Sequence, residues 1–134
     1  MKRFIAVGLG VMVAAAGTAF APAAQAAPTA GCHGSGCRGL DPNQAGCSAD
    51  AYTVARVNTL AGTVQLRYSP SCRSNWARIE RPAPASVLSV KECGPSGYNV
   101  RFRVPSGYTV AWTYMVDGTG PAKAGDGATY TPCR

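Results

Sequence analysis

Hydrophobic and polar residues alternate along three segments of the chain. Two of them, residues 63–68 and 99–104, place an apolar side chain at every second position. The third has the same period in four residues that would share one face: Val110, Trp112, Tyr114 and Val116. A period of two over four or more positions, rich in β-branched and aromatic residues, predicts β-strands. Weaker candidate strands lie at residues 52–57, 75–80 and 87–92.

Glycine or proline interrupts the chain between these segments. The segments recur at a spacing of roughly ten residues, which is typical of a small antiparallel sandwich or barrel. No segment keeps a helical period, although a short helical turn fits near residues 47–52 or 71–76. Residues 118–134 are rich in glycine, proline and threonine, and we expect Cys133 to tie them to the body. The pattern therefore predicts an all-β domain that begins at residue 47.

The first 26 residues have the features of a secretory signal peptide. A basic start precedes an apolar run at residues 4–21, and Ala24-Gln25-Ala26 matches the small-x-small pattern of signal peptidase sites. A transmembrane anchor is the alternative, but the run is rich in alanine and glycine and lacks a basic stop-transfer flank. No later apolar run is long enough to cross a bilayer. We therefore expect a small secreted domain with no membrane insertion.

Residues 27–46 differ in composition from the rest of the chain. They hold five glycines and two prolines, no aromatic residue, and Leu40 as their one sizeable aliphatic side chain. Such a segment cannot build a core of its own. We interpret it as a flexible arm with an internal Cys32–Cys37 loop, and it serves either as a passive linker or as a recognition element.

Six cysteines indicate a disulfide framework. All of them follow the predicted signal peptide, and an exported domain of this size commonly depends on disulfides for stability. The sequence alone does not choose among the pairings, but proximity along the chain suggests Cys32–Cys37, Cys47–Cys72 and Cys93–Cys133. A zinc site is the alternative, and it is disfavoured because the chain has one close cysteine pair and one histidine. We expect no metal and no cofactor.

The sequence offers little catalytic chemistry. His33 and Ser35 lie among glycines, which cannot hold a catalytic triad rigidly. No glycine motif of the phosphate-binding kind is present. The carboxylates are scattered, so an enzyme would need a pair assembled by folding, and this stays a third hypothesis. These carboxylates are Asp41, Asp50, Glu80, Glu92, Asp117 and Asp126.

The net charge is more informative about partners. It is +7 for the whole chain, and it falls to +5 once Lys2 and Arg3 leave with the signal peptide. Arginines lie close to Trp76, and Arg101 and Arg103 share one predicted strand face. Arginine with aromatic rings suits protein interfaces and anionic polymers, whereas secretion and the modest charge disfavour nucleic acid. Alternatively, Trp76 lies in the core with arginine stems around it.

One stretch of the chain resembles a known family. Residues 66–79 read LRYSPSCRSNWARI and resemble the LRYSPxCxxxWAR core of the YjfA-like secreted actinobacterial proteins. Residues 39–42 (GLDP) with 46–51 (GCSADA) resemble the family's opening, and residues 113–116 (TYMV) resemble its closing strand more loosely. The resemblance covers about residues 31–134. It implies a small disulfide-stapled β domain with no established enzymatic activity.

Some relatives in that family resemble the adaptor subunit of secreted umbrella toxin particles. There the subunit joins a lectin-like protein to a large repeat-containing stalk protein that carries a toxin domain. The resemblance implies that residues 32–40 insert into a cleft of the lectin-like partner, with His33 and Arg38 as polar contacts. The other residues expected at this contact are Cys32, Gly34, Ser35, Gly36, Cys37 and Leu40.

The second partner of such an adaptor would bind the β body, which is the predicted β domain of residues 47–134. We expect this contact around Arg67, Tyr68, Arg73, Trp76 and Arg78. Alternatively, residues 66–79, the signature run, are internal, with an arginine satisfying buried carbonyls, and the second interface then lies on loops that the sequence does not identify. The competing function is a free-standing binding or antimicrobial domain that acts on cell-wall polymer or anionic surfaces.

Overall fold

The computed structural model describes residues 30–134 of the chain, and the predicted signal peptide and residues 27–29 lie outside this range. Two short 3-10 turns, Gly34–Cys37 and Cys47–Asp50, precede the strands. The eight strands, in chain order, are β1 Tyr52–Thr59, β2 Gly62–Ser69, β3 Ser74–Glu80, β4 Val87–Glu92, β5 Asn99–Arg103, β6 Val110–Trp112, β7 Val116–Asp117 and β8 Ala122–Gly125.

The strands form two antiparallel sheets. The larger sheet has the order β1-β2-β3-β6, with β7 also paired to β3, and the smaller sheet has the order β5-β4-β8. Aliphatic side chains from both sheets fill the space between them, in a cluster that includes Val64, Leu66, Ile79, Leu88, Val90 and Val104. The all-β prediction is therefore confirmed, and the arrangement is a sandwich. No helix within residues 30–134 is long and apolar enough to cross a membrane.

Two strand predictions differ from the structure. The predicted strand through Tyr114 is interrupted after Trp112. At this point the Thr113 hydroxyl, instead of a backbone carbonyl, accepts a hydrogen bond from the Ala77 backbone N–H at 3.0 Å. Strand β8 was not predicted, since its sequence AKAG carries no branched or aromatic side chain. It pairs with β4, and Ala122 and Ala124 are fully buried.

Three disulfides join the chain in the pairs suggested by proximity. They are Cys32–Cys37, Cys47–Cys72 and Cys93–Cys133, and the described residues contain no free cysteine. The third ties the C-terminal residues to the end of β4, as expected for Cys133. The other two lie together on the outer face of the larger sheet, next to Trp76 and Met115.

The segment at residues 30–46 packs on this outer face. The Gly34 N–H donates to the Cys72 carbonyl at 2.8 Å, and the Gly39 N–H donates to the Met115 carbonyl at 2.9 Å. The Met115 N–H in turn donates to the Leu40 carbonyl. This packing differs from the flexible arm that the composition predicts, because half-cystines and backbone hydrogen bonds replace the large apolar side chains that the segment lacks.

Candidate binding surfaces

The stapled loop, residues 32–40, has a buried base and an exposed tip. Cys37 and Gly34 are buried, while His33, Ser35 and Gly36 are exposed. The Gly36 N–H donates to the His33 carbonyl, which closes the turn at the tip. A side chain built on Gly36 would meet no atom within 4 Å. The tip is therefore ordered by its base and open to a neighbouring molecule.

Arg38 anchors the loop to the β body instead of pointing into solvent. Its guanidinium donates to both carboxylate oxygens of Glu92, at 2.6 and 2.8 Å, and stands 5.3 Å from the Tyr98 ring centroid. The Glu92 side chain is 8% exposed. Arg38 is thus committed to an internal pair, which differs from its expected role as a polar contact with a partner.

The Glu92 carboxyl has a lowered pKa. Burial raises the pKa, but hydrogen bonds from Arg38, from Ser96 and from the Asp117 backbone N–H outweigh it, with the Arg38 charge acting in the same direction. The hydrogen bonds that Arg38 donates to Glu92 raise the pKa of Arg38, against its own desolvation. The pair therefore holds the stapled loop on the sandwich while both groups are charged.

The signature run is mostly internal. Trp76 is 3% exposed and packs against Cys37, Cys47, Cys72 and Met115. This burial differs from the expectation that Trp76 lies on a partner-binding surface. It matches the alternative in which the tryptophan fills a core.

Arg67 satisfies backbone and side-chain acceptors within the fold. It donates to the Ala51 carbonyl at 3.0 Å and to the Thr53 hydroxyl at 2.9 Å. Its pKa is lowered, first by burial and then by the charges of Arg78 and Arg56. Strand register places it directly opposite Trp76 on the outer face. The arginine of the run therefore supports the structure around Ala51.

The other residues expected on the second interface are only partly exposed or lie apart. Arg78 pairs with Glu80 at 2.8 Å on the same outer face. Tyr68 stacks edge-to-face on Tyr52 at 5.9 Å between ring centroids. Arg73 is exposed at the turn before β3, with a positive φ of 48°. The structure does not gather these residues and Trp76 into one accessible patch.

A cleft of about 630 Å³ opens between the free edges of the two sheets. We call it the edge cleft, and the sequence did not predict it. Its walls come from β5 and β6, and the loop between these strands closes one end. The residues that matter for its chemistry are Val100, Arg101, Phe102, Tyr108, Trp112 and Asp41. The alternation of apolar and polar residues predicted four of them as strand residues, but it did not show that the edges of the two sheets lie apart.

The carboxylates are engaged in structural contacts. Asp50 accepts hydrogen bonds from the Ser69 hydroxyl at 2.7 Å and the Ser71 N–H at 2.8 Å, and its pKa is lowered because these bonds outweigh its burial. Asp126 accepts from two backbone N–H groups of its own turn. Asp41 accepts from the Trp112 indole N–H at 3.3 Å. The remaining three, Glu80, Glu92 and Asp117, also accept hydrogen bonds.

Residues 35–126 match the family described as Protein of unknown function (DUF2690). The chain belongs to the DUF2690 family. The match begins inside the stapled loop, so the family domain includes most of the segment that packs on the outer face. A comparison with curated proteins and another with solved structures found no match.

Proposed function

We propose that this DUF2690 protein is a secreted, non-enzymatic adaptor of the YjfA-like kind. It would join a lectin-like protein, bound through the stapled loop, to a large repeat-containing stalk protein that carries a toxin. The observation that carries the proposal is the stapled loop itself, since an exposed tip of His33, Ser35 and Gly36 stands on a base that is covalently closed and buried. A loop ordered before binding loses less conformational entropy when it enters a cleft.

Secretion is part of the same proposal. Disulfides persist in oxidising compartments, and every cysteine among residues 30–134 is paired. The absence of enzymatic activity is supported by the carboxylates, because each accepts hydrogen bonds that hold local structure. Of the six, Asp41 alone lines the edge cleft, and its oxygens already accept hydrogen bonds from Trp112, Asn43 and Gln44.

The structure changes how the loop should be tested. Deleting residues 27–46 would remove Arg38 and leave the buried Glu92 carboxylate unpaired, so a loss of binding would have two explanations. The substitution Gly36→Gln adds a side chain at the tip without a clash inside the protein. Its matched control is Leu60→Gln, at a 97% exposed position on the β1–β2 turn, at the other end of β3 from the loop.

The experiment is an affinity purification of the tagged protein from its native culture supernatant, followed by mass spectrometry. We expect a lectin-like protein and a large repeat protein to co-purify with the unmodified chain and with Leu60→Gln. We expect Gly36→Gln to lose the lectin-like protein alone. If neither partner co-purifies with the unmodified chain, the adaptor function is refuted.

A second candidate function is binding to cell-wall polymer or an anionic surface. It is favoured by unpaired positive charge, because among the described residues only Arg38 and Arg78 form ion pairs. The exposed arginines outside these pairs are Arg56, Arg73, Arg81, Arg101, Arg103 and Arg134. This function predicts that the isolated protein sediments with purified cell walls at low salt and is released as the salt concentration rises. Retention that does not depend on salt would count against it.

A further inference from the structure

The edge cleft is bounded by two strands that each pair on one side only. β5 pairs with β4, and β6 pairs with β3, so both are terminal strands of their sheets. The outer edge of β5 is its free hydrogen-bonding side. The Glu92 N–H donates to the Tyr98 carbonyl and the Val104 N–H donates to the Ser86 carbonyl, both at 2.8 Å. Since antiparallel pairing alternates, the backbone groups of Asn99, Arg101 and Arg103 point away from β4.

The side chains of β5 also alternate between two environments. Val100 and Phe102 are half-buried and pack against the sandwich core, while Arg101 and Arg103 are exposed on the other face. A strand added beside β5 would continue this pattern, because neighbouring strands in a sheet place their side chains in register. Its inward side chains would lie in the cleft, next to Phe102. Its outward side chains would lie beside the two arginines.

Exposed aromatic rings lie at the mouth of the cleft. Tyr108 is 52% exposed and Tyr114 is 54% exposed, and both line it. Leu40, 42% exposed, is the chain neighbour of the lining residue Asp41. Only two other large hydrophobic side chains of the described residues, Tyr52 and Leu60, are exposed. Two of these five side chains therefore line the cleft, and an exposed apolar surface of this kind is typical of an interaction site.

The charges at the cleft favour an acidic partner. Asp41 is already occupied, because its two oxygens accept hydrogen bonds from the Trp112 indole and from the Asn43 and Gln44 backbone N–H groups. Arg101 and Arg103 make no ion pair within residues 30–134. An added strand with carboxylates on its outward face would place opposite charges beside these arginines.

We propose that the edge cleft binds an extended peptide segment, which adds as a strand to β5 and has alternating apolar and acidic side chains. Backbone hydrogen bonds to the outward groups of Arg101 would hold the segment, and the aromatic cleft would select its apolar side chains. In the adaptor, this segment belongs to the stalk protein, and that identification rests on the function proposed above. The binding chemistry itself does not depend on it.

The test uses the full mature protein and an acetylated seven-residue peptide of alternating glutamate and valine. Titration calorimetry is expected to show saturable binding that weakens with salt. The same peptide with lysine in place of glutamate should bind at least about tenfold more weakly, because it sets like charges beside Arg101 and Arg103. A glutamate–valine peptide N-methylated at every backbone amide should not bind, since it lacks the donors that strand addition requires.

Two substitutions separate the contribution of the Arg101 backbone N–H to binding from the contribution of its charge. Arg101→Gln keeps the outward N–H and should weaken binding about threefold, the usual effect of an exposed ion pair. Arg101→Pro also removes the N–H and should weaken binding by about tenfold or more. An edge strand tolerates proline, and far-ultraviolet circular dichroism checks the fold. Leu60→Gln, on the β1–β2 turn and outside the lining of the cleft, serves as the control and should leave the affinity unchanged.

Equal binding of the N-methylated peptide would overturn the proposal, as would binding of cell-wall oligosaccharides in the cleft in place of the peptide. Failure of the adaptor function is a distinct result. In that case Gly36→Gln leaves peptide binding intact while no lectin-like protein co-purifies with any variant. Conversely, co-purification of both partners with Arg101→Pro would refute strand addition and leave the adaptor in place.

Discussion

The larger sheet carries two packed clusters, one on each face, and they are built from different chemistry. The inner cluster is aliphatic and joins the two sheets through residues such as Leu66, Ile79 and Leu88. The outer cluster is made of Cys37, Cys47, Cys72, Trp76 and Met115, under the N-terminal segment. The inner face is held by the hydrophobic effect, whereas the outer face depends on disulfides and on a few polar anchors. We therefore expect that the outer face can be loosened while the sandwich persists.

The largest loss of stability should follow a substitution in the inner cluster. Leu66 is fully buried between the sheets. We expect Leu66→Ala to lower the free energy of unfolding by about 2–5 kcal/mol, since it removes buried methyl groups and leaves a cavity. Urea denaturation followed by tryptophan fluorescence measures the change. The matched control is Leu60→Ala, where the side chain is 97% exposed and the change should stay within about 0.5 kcal/mol. Similar losses for the two leucines would contradict the assigned core.

The second-largest loss of stability should distinguish the outer face of the larger sheet from its inner face. Replacing Cys47 and Cys72 together by alanine removes a crosslink with a sequence separation of 25 residues. We expect a loss of about 3 kcal/mol from the added freedom of the unfolded chain. Hydrogen exchange should show lost protection at the N–H groups of Gly34 and Gly39, with the β2–β3 ladder still protected. Loss of protection in both regions at once would show that the two faces unfold as one unit.

Acid should weaken the anchor between the stapled loop and the sandwich. Because the folded-state pKa of Glu92 lies below the unfolded value of about 4.3, its ionised form adds stability above that pH. That stability is lost as the pH falls through the folded-state pKa. The difference in unfolding free energy between the unmodified protein and Glu92→Gln should therefore be constant near neutral pH and shrink below about pH 4 to 5.

Glu80→Gln is the matched control for the acid experiment. Glu80 also has a lowered pKa, from its hydrogen bond with Arg78 and that residue's charge, but its side chain is 62% exposed. Solvent screens such a pair, so its removal should change the pH dependence little. Denaturant titrations at a series of pH values compare the two variants. An equal pH dependence for both would show that Arg38 and Glu92 do not anchor the loop.

The sequence predicted the inner cluster far better than the outer one. Strands β2 and β5 were predicted because their alternation is a local property of the chain. Strand β8 was missed, since a run of small side chains becomes a strand only where Ala122 and Ala124 fit against β4. The order of residues 30–46 was missed for a related reason. Their partners, Cys72, Trp76 and Met115, lie 30 residues or more beyond Leu40 in the chain.

For the binding surfaces too, local features could be predicted from the sequence, whereas features that depend on distant contacts could not. The stapled loop was located from two cysteines among glycines, but which of its residues face solvent depends on contacts with Cys72 and Met115. The role of Arg67 was left open between a partner contact and an internal one, because a sequence does not show which carbonyls are near. The edge cleft was not predicted at all. It exists because β5 and β6 end different sheets, and strand order is not encoded in the alternation of either strand.

The smallest expected changes in the free energy of unfolding concern two glycines within the stapled loop. Gly34 has a φ of +55°, and an added Cβ would lie 3.1 Å from the Thr119 methyl carbon, whereas Gly36 has free space and no positive φ. We expect Gly36→Ala to raise the free energy of unfolding by about 0.4–1 kcal/mol, because alanine restricts the unfolded chain. Gly34→Ala should lower it by about 1–2 kcal/mol, because alanine is strained in the left-handed region. Thermal denaturation of the two variants measures both signs. If both changes were neutral, residues 32–40 would be mobile in solution, and an ordered tip could not explain tight binding in a partner's cleft.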